Sequence, residues 1–271
     1  MRTMPVALTV AGSDPGGGAG IQADLKTLFA HGVYGLSVLT AVTAQDTHRV
    51  LRSDAVAPSL VTAQLDAVLA DIGADAMKTG MLANADVVAA VVDAVERHSL
   101  GSRLVVDPVL LASSGEPLID VPGMEALIDR LFPLAALVTP NVPEASVILG
   151  RALETVDDLE WAARQLVRLG PRAAVVTGGH LDGPPVDVLF DGESVRHFAA
   201  PRIETTSTHG TGCTFSAAIA ARLALGAEFD AAVGGAKKYV TEALRLATPL
   251  GSGRGPLAHD HRDHPLGVRA R

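Results

Sequence analysis

The sequence predicts an α/β domain built on a doubly wound, mostly parallel sheet, with helices on both faces and an antiparallel hairpin at one edge. Short β-branched segments alternate along the chain with longer segments rich in alanine and leucine, which favours parallel strands joined by helices. The strand segments are nearly continuous apolar runs, as in sheets that are buried on both faces. Two short strand-like segments around Gly192 indicate the antiparallel hairpin.

Each parallel strand is predicted from a short apolar run, and each helix from a longer segment with helical character. The strand candidates are residues 6–11, 37–44, 76–81, 104–108, 136–139 and 173–177. The helix candidates lie near residues 20–31, 59–71, 84–98, 123–131, 157–169, 212–225 and 229–247. The hairpin pairs residues 186–191 with 194–199, the domain covers residues 1–259, and residues 260–271 are predicted to form a flexible tail.

The composition is that of a globular protein with an aliphatic core. Of the 271 residues, 48% are hydrophobic and only 3% are aromatic, so alanine, valine, leucine and isoleucine must fill the core. The net charge of −8 argues against a nucleic-acid partner, because such proteins normally carry a basic patch. No apolar run reaches about 18 residues, so the sequence predicts no membrane span.

Both ends of the chain and its cysteine content bear on location. The apolar run near the N-terminus lacks a cleavage pattern and leads into a glycine loop, so we interpret it as a strand rather than a signal peptide. Cys213 is the only cysteine, which excludes an internal disulfide and favours a cytoplasmic protein. Near the C-terminus, His259, His261 and His264 are interpreted as part of a solvated tail rather than as a metal site.

Two glycine-rich loops each lead into a predicted helix. Gly210 and Gly212 precede a helix of small residues. Because the first N–H groups of a helix lack partners and its dipole favours an anion, residues 210–213 are predicted to cradle a negatively charged group. The other loop, residues 12–20, holds five glycines and matches neither the dinucleotide fingerprint nor the P-loop. It is either a flexible turn or a loop that closes over a ligand.

The residues that follow the strands are the candidates for ligand binding, because doubly wound sheets bind ligands beyond the carboxyl ends of their strands. Gln45 follows the second strand, and its amide presents a donor beside an acceptor, which matches the edge of an aminopyrimidine. A solvent-exposed glutamine is the alternative. Met81 follows the third strand and is either an apolar wall for a ring or part of the core.

Charged residues at the same edge of the sheet point to a phosphate compound. Asp107 and Glu144 follow neighbouring strand candidates, and their hard oxygen ligands suit Mg²⁺ bridged to phosphates. Glu144 is alternatively only a first-turn residue of the next helix. Lys237 and Lys238 lie on the last helix candidate, where one is predicted to face the phosphates and the other to face solvent.

Together these segments resemble the hydroxymethylpyrimidine/phosphomethylpyrimidine kinases of thiamin biosynthesis, within the ribokinase-like superfamily. The resemblance extends from Val6 to about His259 and is specific in combination rather than through any single motif. The segments that carry it are residues 11–24 (AGSDPGGGAGIQAD), 40–45 (TAVTAQ), 78–82 (KTGML), 105–109 (VVDPV), 139–144 (TPNVPE) and 210–214 (GTGCT).

The resemblance implies an enzyme that uses ATP to phosphorylate the hydroxymethyl group of an aminopyrimidine and then phosphorylates the monophosphate. It also implies ATP and Mg²⁺ as cofactors and a homodimer, as in many relatives. The implied substrate-binding residues are Gln45, Gly12, Ala19, Asp24, Met81 and Val109. The resemblance further implies Mg²⁺ near Asp107 and Glu144, ATP phosphates near Lys237, and an anion hole formed by Gly210, Thr211, Gly212 and Cys213.

Two positions depart from the family pattern. Thr177 stands where the family often has a lysine before two glycines, which transfers more of the phosphate neutralisation to Lys237. Thr43 replaces an apolar contact of the relatives, which is shifted to Val42 or lost.

Two other functions compete with the one that the resemblance implies. One is a pyridoxal or pyridoxine kinase on the same scaffold, and the other is a pyrimidine-binding protein that has lost catalysis.

Cys213 occupies the position at which sugar-kinase relatives usually carry an aspartate base. Three interpretations are open: a buried apolar residue, a group that only positions the substrate hydroxyl, and a base that accepts the hydroxyl proton late in the transfer. A helix N-terminus lowers the pKa of a thiol from its usual value of about 8.5. We therefore expect a lowered pKa at Cys213 and a role as base.

Overall fold

A single nine-stranded sheet organises the described part of the chain, residues 4–112 and 115–260, in this computed structural model. The strands are β1 (Val6–Ser13), β2 (Tyr34–Gln45), β3 (Val50–Ala55), β4 (Ala76–Thr79), β5 (Leu104–Val106), β6 (Leu137–Val138), β7 (Ala173–Val176), β8 (Val186–Phe190) and β9 (Val195–Ala199). They lie in the order β3-β2-β1-β4-β5-β6-β7-β8-β9. At the centre of the sheet, the neighbouring strands β2, β1, β4, β5, β6 and β7 pair in parallel. At the edges, β3 pairs antiparallel with β2, β8 with β7, and β9 with β8.

Helices cover both faces of this sheet. They are α1 (Gly20–Ala30), α2 (Pro58–Asp71), α3 (Ala85–Arg97), α4 (Val121–Ala126), α5 (Val142–Leu149), α6 (Val156–Val167), α7 (Thr211–Ala224) and α8 (Phe229–Arg245). Leu8 and Val10 of β1 join an apolar cluster with α2, α3, α5 and α6, whereas Ala7 joins a second cluster with α1, α7 and α8. Successive strand side chains point to opposite faces, so β1 contributes to both clusters. None of the helices in the described ranges is long and apolar enough to cross a membrane.

The predicted doubly wound architecture is confirmed, but the prediction lacked two elements. Strand β3 adds an antiparallel strand at the edge opposite the predicted hairpin, and it was missed because five of its six residues are exposed and polar or weakly apolar. Helix α5 was also missed, because its eight residues are short for a periodic pattern. The helix expected at 123–131 ends at Ala126 and continues as a wider turn over Leu127–Leu131.

The strand order fixes where a ligand site can form. From β1 the chain moves outward to β2 and β3, then returns to place β4 on the other side of β1. This reversal between β1 and β4 is a topological switch point, and such points open a crevice at the carboxyl ends of the strands. The glycine-rich loop after β1 and the Lys78–Met81 segment at the end of β4 border that crevice.

The C-terminal segment is anchored to the core by His259. The imidazole Nε2 lies 3.0 Å from the Thr214 hydroxyl at the start of α7, and the His259 carbonyl accepts a hydrogen bond from the Tyr239 hydroxyl at 2.9 Å. The interpretation of His259 as part of a solvated tail was therefore wrong, because Leu257 and His259 are both buried. His261, His264 and the rest of the predicted flexible tail beyond residue 260 lie outside the described residues, and the domain boundary at 259 stays a prediction.

Burial of His259 predicts a loss of stability in mild acid. Burial lowers the pKa of His259 from 6.5 to about 4, so between these values only the unfolded chain takes up the proton. Unfolding in urea should show that the wild type loses about 2 kcal/mol more than His259→Asn between pH 7 and pH 5. The exposed His48 provides the control, since His48→Asn should keep the wild-type loss. Equal losses in the wild type and His259→Asn would contradict the burial argument.

Candidate active site

The glycine-rich loop after β1 is folded around the carboxylate of Asp14. This carboxylate is buried and accepts hydrogen bonds from the backbone N–H groups of Gly16, Gly18 and Ala19 at 2.8, 3.0 and 2.8 Å. The amide oxygen of Gln22 accepts from the Asp14 backbone N–H at 3.0 Å. Hydrogen bonding of this kind fixes the loop, so residues 12–20 form an ordered structure rather than a plain flexible turn.

The predicted anion cradle lies at the start of α7. Gly210 precedes the helix with φ of 80°, and the first helical hydrogen bond joins the Thr214 N–H to the Gly210 carbonyl at 2.9 Å. The N–H groups of Gly212 and Cys213 precede this bond and have no intrahelical acceptor. Gly212 is exposed, so this helix end has the open N–H groups that favour an anion.

Glycine is required where the two loops touch. A Cβ atom on Gly210 would lie 1.8 Å from the Gly18 carbonyl oxygen, and one on Gly20 would lie 2.3 Å from the Gly12 carbonyl oxygen. Both residues also have positive φ, 80° and 57°, which side chains disfavour. The two glycine-rich loops, separated by almost the whole chain, therefore form one continuous surface.

A buried ion pair lies beneath these loops. Lys78 Nζ lies 2.9 Å from each carboxylate oxygen of Asp24, and the Thr9 hydroxyl donates to the same carboxylate at 2.6 Å. Burial alone would lower the pKa of Lys78, but Asp24 and nearby negative groups raise it above its usual range. Lys78 is therefore charged, and the predicted substrate-binding residue Asp24 is engaged with protein partners in this structure.

Asp107 and Cys213 lie beside this ion pair. Asp107 Oδ2 lies 3.9 Å from Lys78 Nζ and accepts a hydrogen bond from the Ser216 hydroxyl of α7 at 2.9 Å. Cys213 is half-buried, and burial raises the pKa of its thiol to about 12 although Lys78 opposes the shift. The expected lowering of this pKa was wrong, because burial and the nearby carboxylates of Asp24 and Asp107 raise it.

Glu144 has the first-turn role that the sequence left open, and its role toward a metal stays a prediction. It is the third residue of α5 in a capping box, in which its carboxylate accepts from the Asn141 N–H at 2.9 Å. Burial and the neighbouring Asp107 charge raise the pKa of Glu144 to about 8. Two buried carboxylates that repel each other are a poor arrangement in the protein alone, and a bound cation between them relieves the repulsion.

The residues present fit Mg²⁺. Asp107 and Glu144 supply hard oxygen ligands. Mg²⁺ is usually bound by one or two such carboxylates together with substrate phosphates and waters. Thr79 is the last residue of β4. Its buried hydroxyl oxygen has no hydrogen-bond partner among the described residues.

Lys237 is held by a buried aspartate. Its Nζ lies 2.9 Å from Asp187 Oδ1, and the same oxygen accepts from the Gly178 N–H at 3.0 Å. Lys238 is exposed, so Lys237 is the lysine that faces the protein. Thr177, which stands where the family often has a lysine, lies directly before Gly178. The pair of Lys237 and Asp187 therefore lies next to that position.

The remaining predicted residues lie at or just beyond the carboxyl ends of β1, β2, β4 and β5. Met81 is buried, and its sulfur would lie 3.0 Å from a Cβ atom on Gly12. Gln45 at the end of β2 and Val109 after β5 are both half-buried. Thr43 donates to the Ser13 carbonyl at 2.9 Å, and Val42 is 51% exposed.

Several residues of this site were missed by the sequence analysis. Asp14, Lys78, His209, Ser216 and Asp187 were read only as parts of motifs or not at all. Four of the five are buried, with His209 alone half-buried. A charged residue inside an apolar strand, such as Lys78 in β4, is the one signal that points to a buried pair. The partners themselves are distant in sequence and only the fold brings them together.

Comparisons with known proteins find similarity along nearly the whole chain. The family model described as phosphomethylpyrimidine kinase matches residues 14–258. The chain is 49% identical over 262 residues to the hydroxymethylpyrimidine/phosphomethylpyrimidine kinase of Rhizobium meliloti, covering 95% of this chain and 97% of that protein. It is 51% identical over 253 residues to the thiamine biosynthesis bifunctional protein ThiED of Geobacter sulfurreducens, covering 93% of this chain but only 51% of that protein, so it spans about half of its length.

A solved structure is similar over nearly the whole chain. The ADP complex of Bacillus subtilis pyridoxal kinase has a TM-score of 0.87 and 41% sequence identity, covering 95% of this chain and 98% of that one. The similarity extends to a kinase named for a different ring substrate. The scaffold alone therefore does not determine which ring is bound.

The buried ion pair yields a stability prediction. Lys78→Met removes the positive charge that lies against Asp24, so the free energy of unfolding should fall by roughly 3–5 kcal/mol. The double variant Lys78→Met/Asp24→Asn should recover part of that loss, since it leaves no uncompensated carboxylate at this position. Urea unfolding at neutral pH measures both effects.

The exposed Lys238 gives the matched control. Lys238→Met should change the free energy of unfolding by less than about 0.5 kcal/mol, as expected at a surface position. A loss at Lys78→Met of the same small size, or a double variant no more stable than Lys78→Met alone, would contradict an energetically coupled pair.

Proposed function

Because the chain belongs to the phosphomethylpyrimidine kinase family, we propose that it transfers phosphoryl groups from ATP to a hydroxymethyl aminopyrimidine and then to its monophosphate. The observation that carries the proposal is the meeting of the Gly210–Cys213 cradle with the crevice between β1 and β4. An open helix N-terminus there adjoins an acidic edge formed by Asp107 and Glu144. Phosphoryl transfer requires this combination of anion binding and charge stabilisation.

The ring specificity of relatives supports a pyrimidine rather than pyridoxal. The Rhizobium protein, which matches over nearly its whole length, is named for hydroxymethylpyrimidine and phosphomethylpyrimidine. The Bacillus pyridoxal kinase has the lower identity, 41%. A half-buried Gln45 at the end of β2 offers a donor and an acceptor for the ring nitrogen and the amino group. The pyridoxal kinase alternative is therefore not favoured.

Each group of the site has a proposed role in the transfer. Gln45, Met81 and Val109 hold the ring, with Gly12, Ala19 and Asp24 around it, and the hydroxymethyl group faces Cys213. The N–H groups of Gly212 and Cys213 donate to the oxygens of the transferred phosphoryl group, as an open helix N-terminus permits. The Gly20–Gly12 and Gly210–Gly18 contacts close the crevice on one side, which excludes water that would otherwise consume ATP.

The cation needed for the reaction is proposed to be Mg²⁺, held through Asp107 and Glu144. When bound, it neutralises phosphate charge at the acidic edge. Lys237, fixed by Asp187 at 2.9 Å, is the proposed cation for the ATP phosphates. The Bacillus kinase of the same fold is an ADP complex, which supports a nucleotide as one ligand of this chain.

Two further properties are proposed from weaker observations. We infer a homodimer, supported by the exposed apolar side chains of Tyr34 and Val42 on β2 and Leu51 on β3, and sedimentation at micromolar concentration tests it. A single cysteine, Cys213, supports a cytoplasmic location, because proteins of oxidising compartments commonly use disulfides.

The proposed activity is tested by following ATP consumption with two ring substrates. We expect turnover with the aminopyrimidine, products that carry first one and then two phosphates by mass, and a higher kcat/KM than with pyridoxal. A higher kcat/KM for pyridoxal would transfer the assignment to the alternative kinase. Pyrimidine binding without any ATP consumption would identify a non-catalytic binding protein.

The cation proposal predicts a changed Mg²⁺ requirement in Glu144→Gln. Glutamine keeps an oxygen that accepts from the Asn141 N–H, so the capping box and the stability should be retained. It loses the charge, so the Mg²⁺ concentration for half-maximal activity should rise by about tenfold or more. Asp158→Asn, at the equivalent position of the α6 capping box, is the control and should leave the requirement unchanged. Lower activity with an unchanged Mg²⁺ requirement would show that Glu144 acts only as a capping residue.

The raised thiol pKa changes the prediction for Cys213. A thiol with a pKa of about 12 is protonated at neutral pH and cannot accept a proton, so we expect it to position the substrate hydroxyl. Cys213→Ala should then lower kcat by less than about tenfold, whereas loss of a base costs about 10²–10⁴. Steady-state kinetics at saturating pyrimidine measure this, with Cys213→Asp as the comparison. A loss of about 10² or more in Cys213→Ala, with partial activity in Cys213→Asp, would restore the base interpretation.

A further inference from the structure

Residues 250–259, which we call the C-terminal strap, connect the turn between β2 and β3 to the start of α7. At one end the strap is hydrogen-bonded to Thr47, which lies two residues beyond Gln45. At the other end, His259 Nε2 lies 3.0 Å from the Thr214 hydroxyl. The strap therefore contacts both the proposed ring-binding side and the proposed phosphate-binding side of the site.

Thr47 holds the strap at the ring-binding side. Its hydroxyl oxygen accepts a hydrogen bond from the Gly253 N–H at 3.0 Å, and its carbonyl accepts from the Arg254 N–H at 2.8 Å. The two segments are in close contact, because a Cβ atom on Gly253 would lie 2.3 Å from the Thr47 carbonyl oxygen. His48 adds a contact of 2.9 Å between its Nε2 and the Ser252 hydroxyl. One half-buried threonine thus binds two consecutive backbone N–H groups of the strap.

The next residues of the strap bind the chain that leads into the anion cradle. The Gly255 carbonyl accepts a hydrogen bond from the His209 N–H at 3.0 Å, and Pro256 pairs with His209 in an isolated parallel bridge. His209 lies directly before Gly210, and its Nε2 lies 2.9 Å from the Asp14 carboxylate of the glycine-rich loop. The cradle therefore begins at a residue whose backbone is bonded to the strap and whose side chain is bonded to the loop after β1.

The two attachments of the strap are on consecutive residues. The Arg254 N–H donates to Thr47, and the carbonyl of the adjacent Gly255 accepts from His209. Two residues of chain reach at most about 7 Å, so a connection of this length has little slack. A displacement of the strap at Thr47 therefore displaces the backbone at His209.

We propose that Thr47 is a positioning residue for the anion cradle and that it acts through the C-terminal strap. The proposal rests on the function proposed above, in which the cradle binds the phosphoryl group that is transferred. Thr47 contacts no reacting atom in this role. It fixes the strap, and the strap fixes His209 and with it the open N–H groups at the start of α7. Such a brace matters for transfer, because a misplacement of about 1 Å can cost about 10²-fold in rate.

Nucleotide binding to variants of the full chain tests the proposal. Calorimetry in the presence of Mg²⁺ gives the Kd of ADP and the Kd of AMP-PCP, a non-hydrolysable ATP analogue that carries the third phosphate. Thr47→Val keeps the shape of the side chain but removes the acceptor for the Gly253 N–H. The ratio of the AMP-PCP Kd to the ADP Kd should then rise by about 3- to 10-fold, the effect of one hydrogen bond, because ADP lacks the phosphate that the cradle binds. Thr47→Ser keeps the acceptor and should retain the wild-type ratio.

Thr155→Val is the matched control and should leave the ratio unchanged. The Thr155 hydroxyl also accepts from a backbone N–H, that of Asp158 at 3.2 Å, but α6 lies on the opposite face of the sheet from α7. An unchanged ratio in Thr47→Val would overturn the proposal while the proposed function stands, even if the aminopyrimidine KM rose, since Thr47 would then act only at the ring side. If the wild type binds neither nucleotide, the proposed function is wrong and the role of the strap is overturned with it.

Limited digestion with trypsin tests the same coupling in the wild type and depends on no variant. Cleavage after the exposed Arg254 requires the strap to leave Thr47, and its rate follows the population of the open form. Coupling between two sites is reciprocal, so AMP-PCP should slow this cleavage more than ADP does when both are saturating. Mass spectrometry of the fragments identifies the cut at Arg254. Equal cleavage rates with the two nucleotides would overturn the proposal.

Discussion

The site is built around one buried positive charge, the Lys78 ammonium. A charge removed from water costs several kcal/mol unless it is paired and hydrogen-bonded, so the fold must bring its partners to it. Asp24 comes from α1 and Asp107 from the end of β5, while Lys78 itself lies on β4. The pairing therefore sets the distance between a helix and two neighbouring strands at the switch point of the sheet. Ser216 extends the constraint to α7, through its hydrogen bond to Asp107.

The loops above this charge obey a second constraint, which is close backbone contact. The Gly12–Gly20 and Gly18–Gly210 approaches leave no room for a Cβ atom, and Asp14 supplies the acceptor that the crowded loop amides require. Because the loop after β1 and the start of α7 meet directly, the acid–base properties of Cys213 are decided at their junction. Its thiol is half-buried there, and burial is the largest cause of its raised pKa.

The sequence allowed most of the fold to be predicted, for physical reasons that also explain the failures. Continuous apolar runs identified the buried strands, because a strand covered on both faces must be apolar throughout. Strand β3 lies at an edge and is mostly exposed, so it has no such run. Motif positions predicted Asp107, Glu144 and Gly210 as site residues, because these residues lie next to regular elements. The ion pair of Lys78 with Asp24 and the pair of Asp14 with His209 depend on contacts across 54 and 195 positions, which no local pattern encodes. The expected direction of the Cys213 pKa shift was wrong for a related reason. A helix N-terminus can be predicted from the sequence, whereas burial of the thiol cannot.

The balance of charge explains how an acidic edge can serve a reaction of phosphates. Asp107 and Glu144 are both buried. Burial and the negative charge of Asp107 raise the pKa of Glu144 to about 8, so ionisation of both carboxylates is unfavourable without a cation. Lys237 is compensated by Asp187, and Thr177 adds no charge where the family often has a lysine. A bare polyphosphate therefore meets repulsion at this edge, whereas one that arrives with a divalent cation relieves the repulsion between the two carboxylates. In the proposed reaction, the uncharged N–H groups at the start of α7 would bind the phosphoryl oxygens without changing the net charge. Such a site would favour the metal complex of the nucleotide over the free nucleotide, because a cation relieves the repulsion between Asp107 and Glu144.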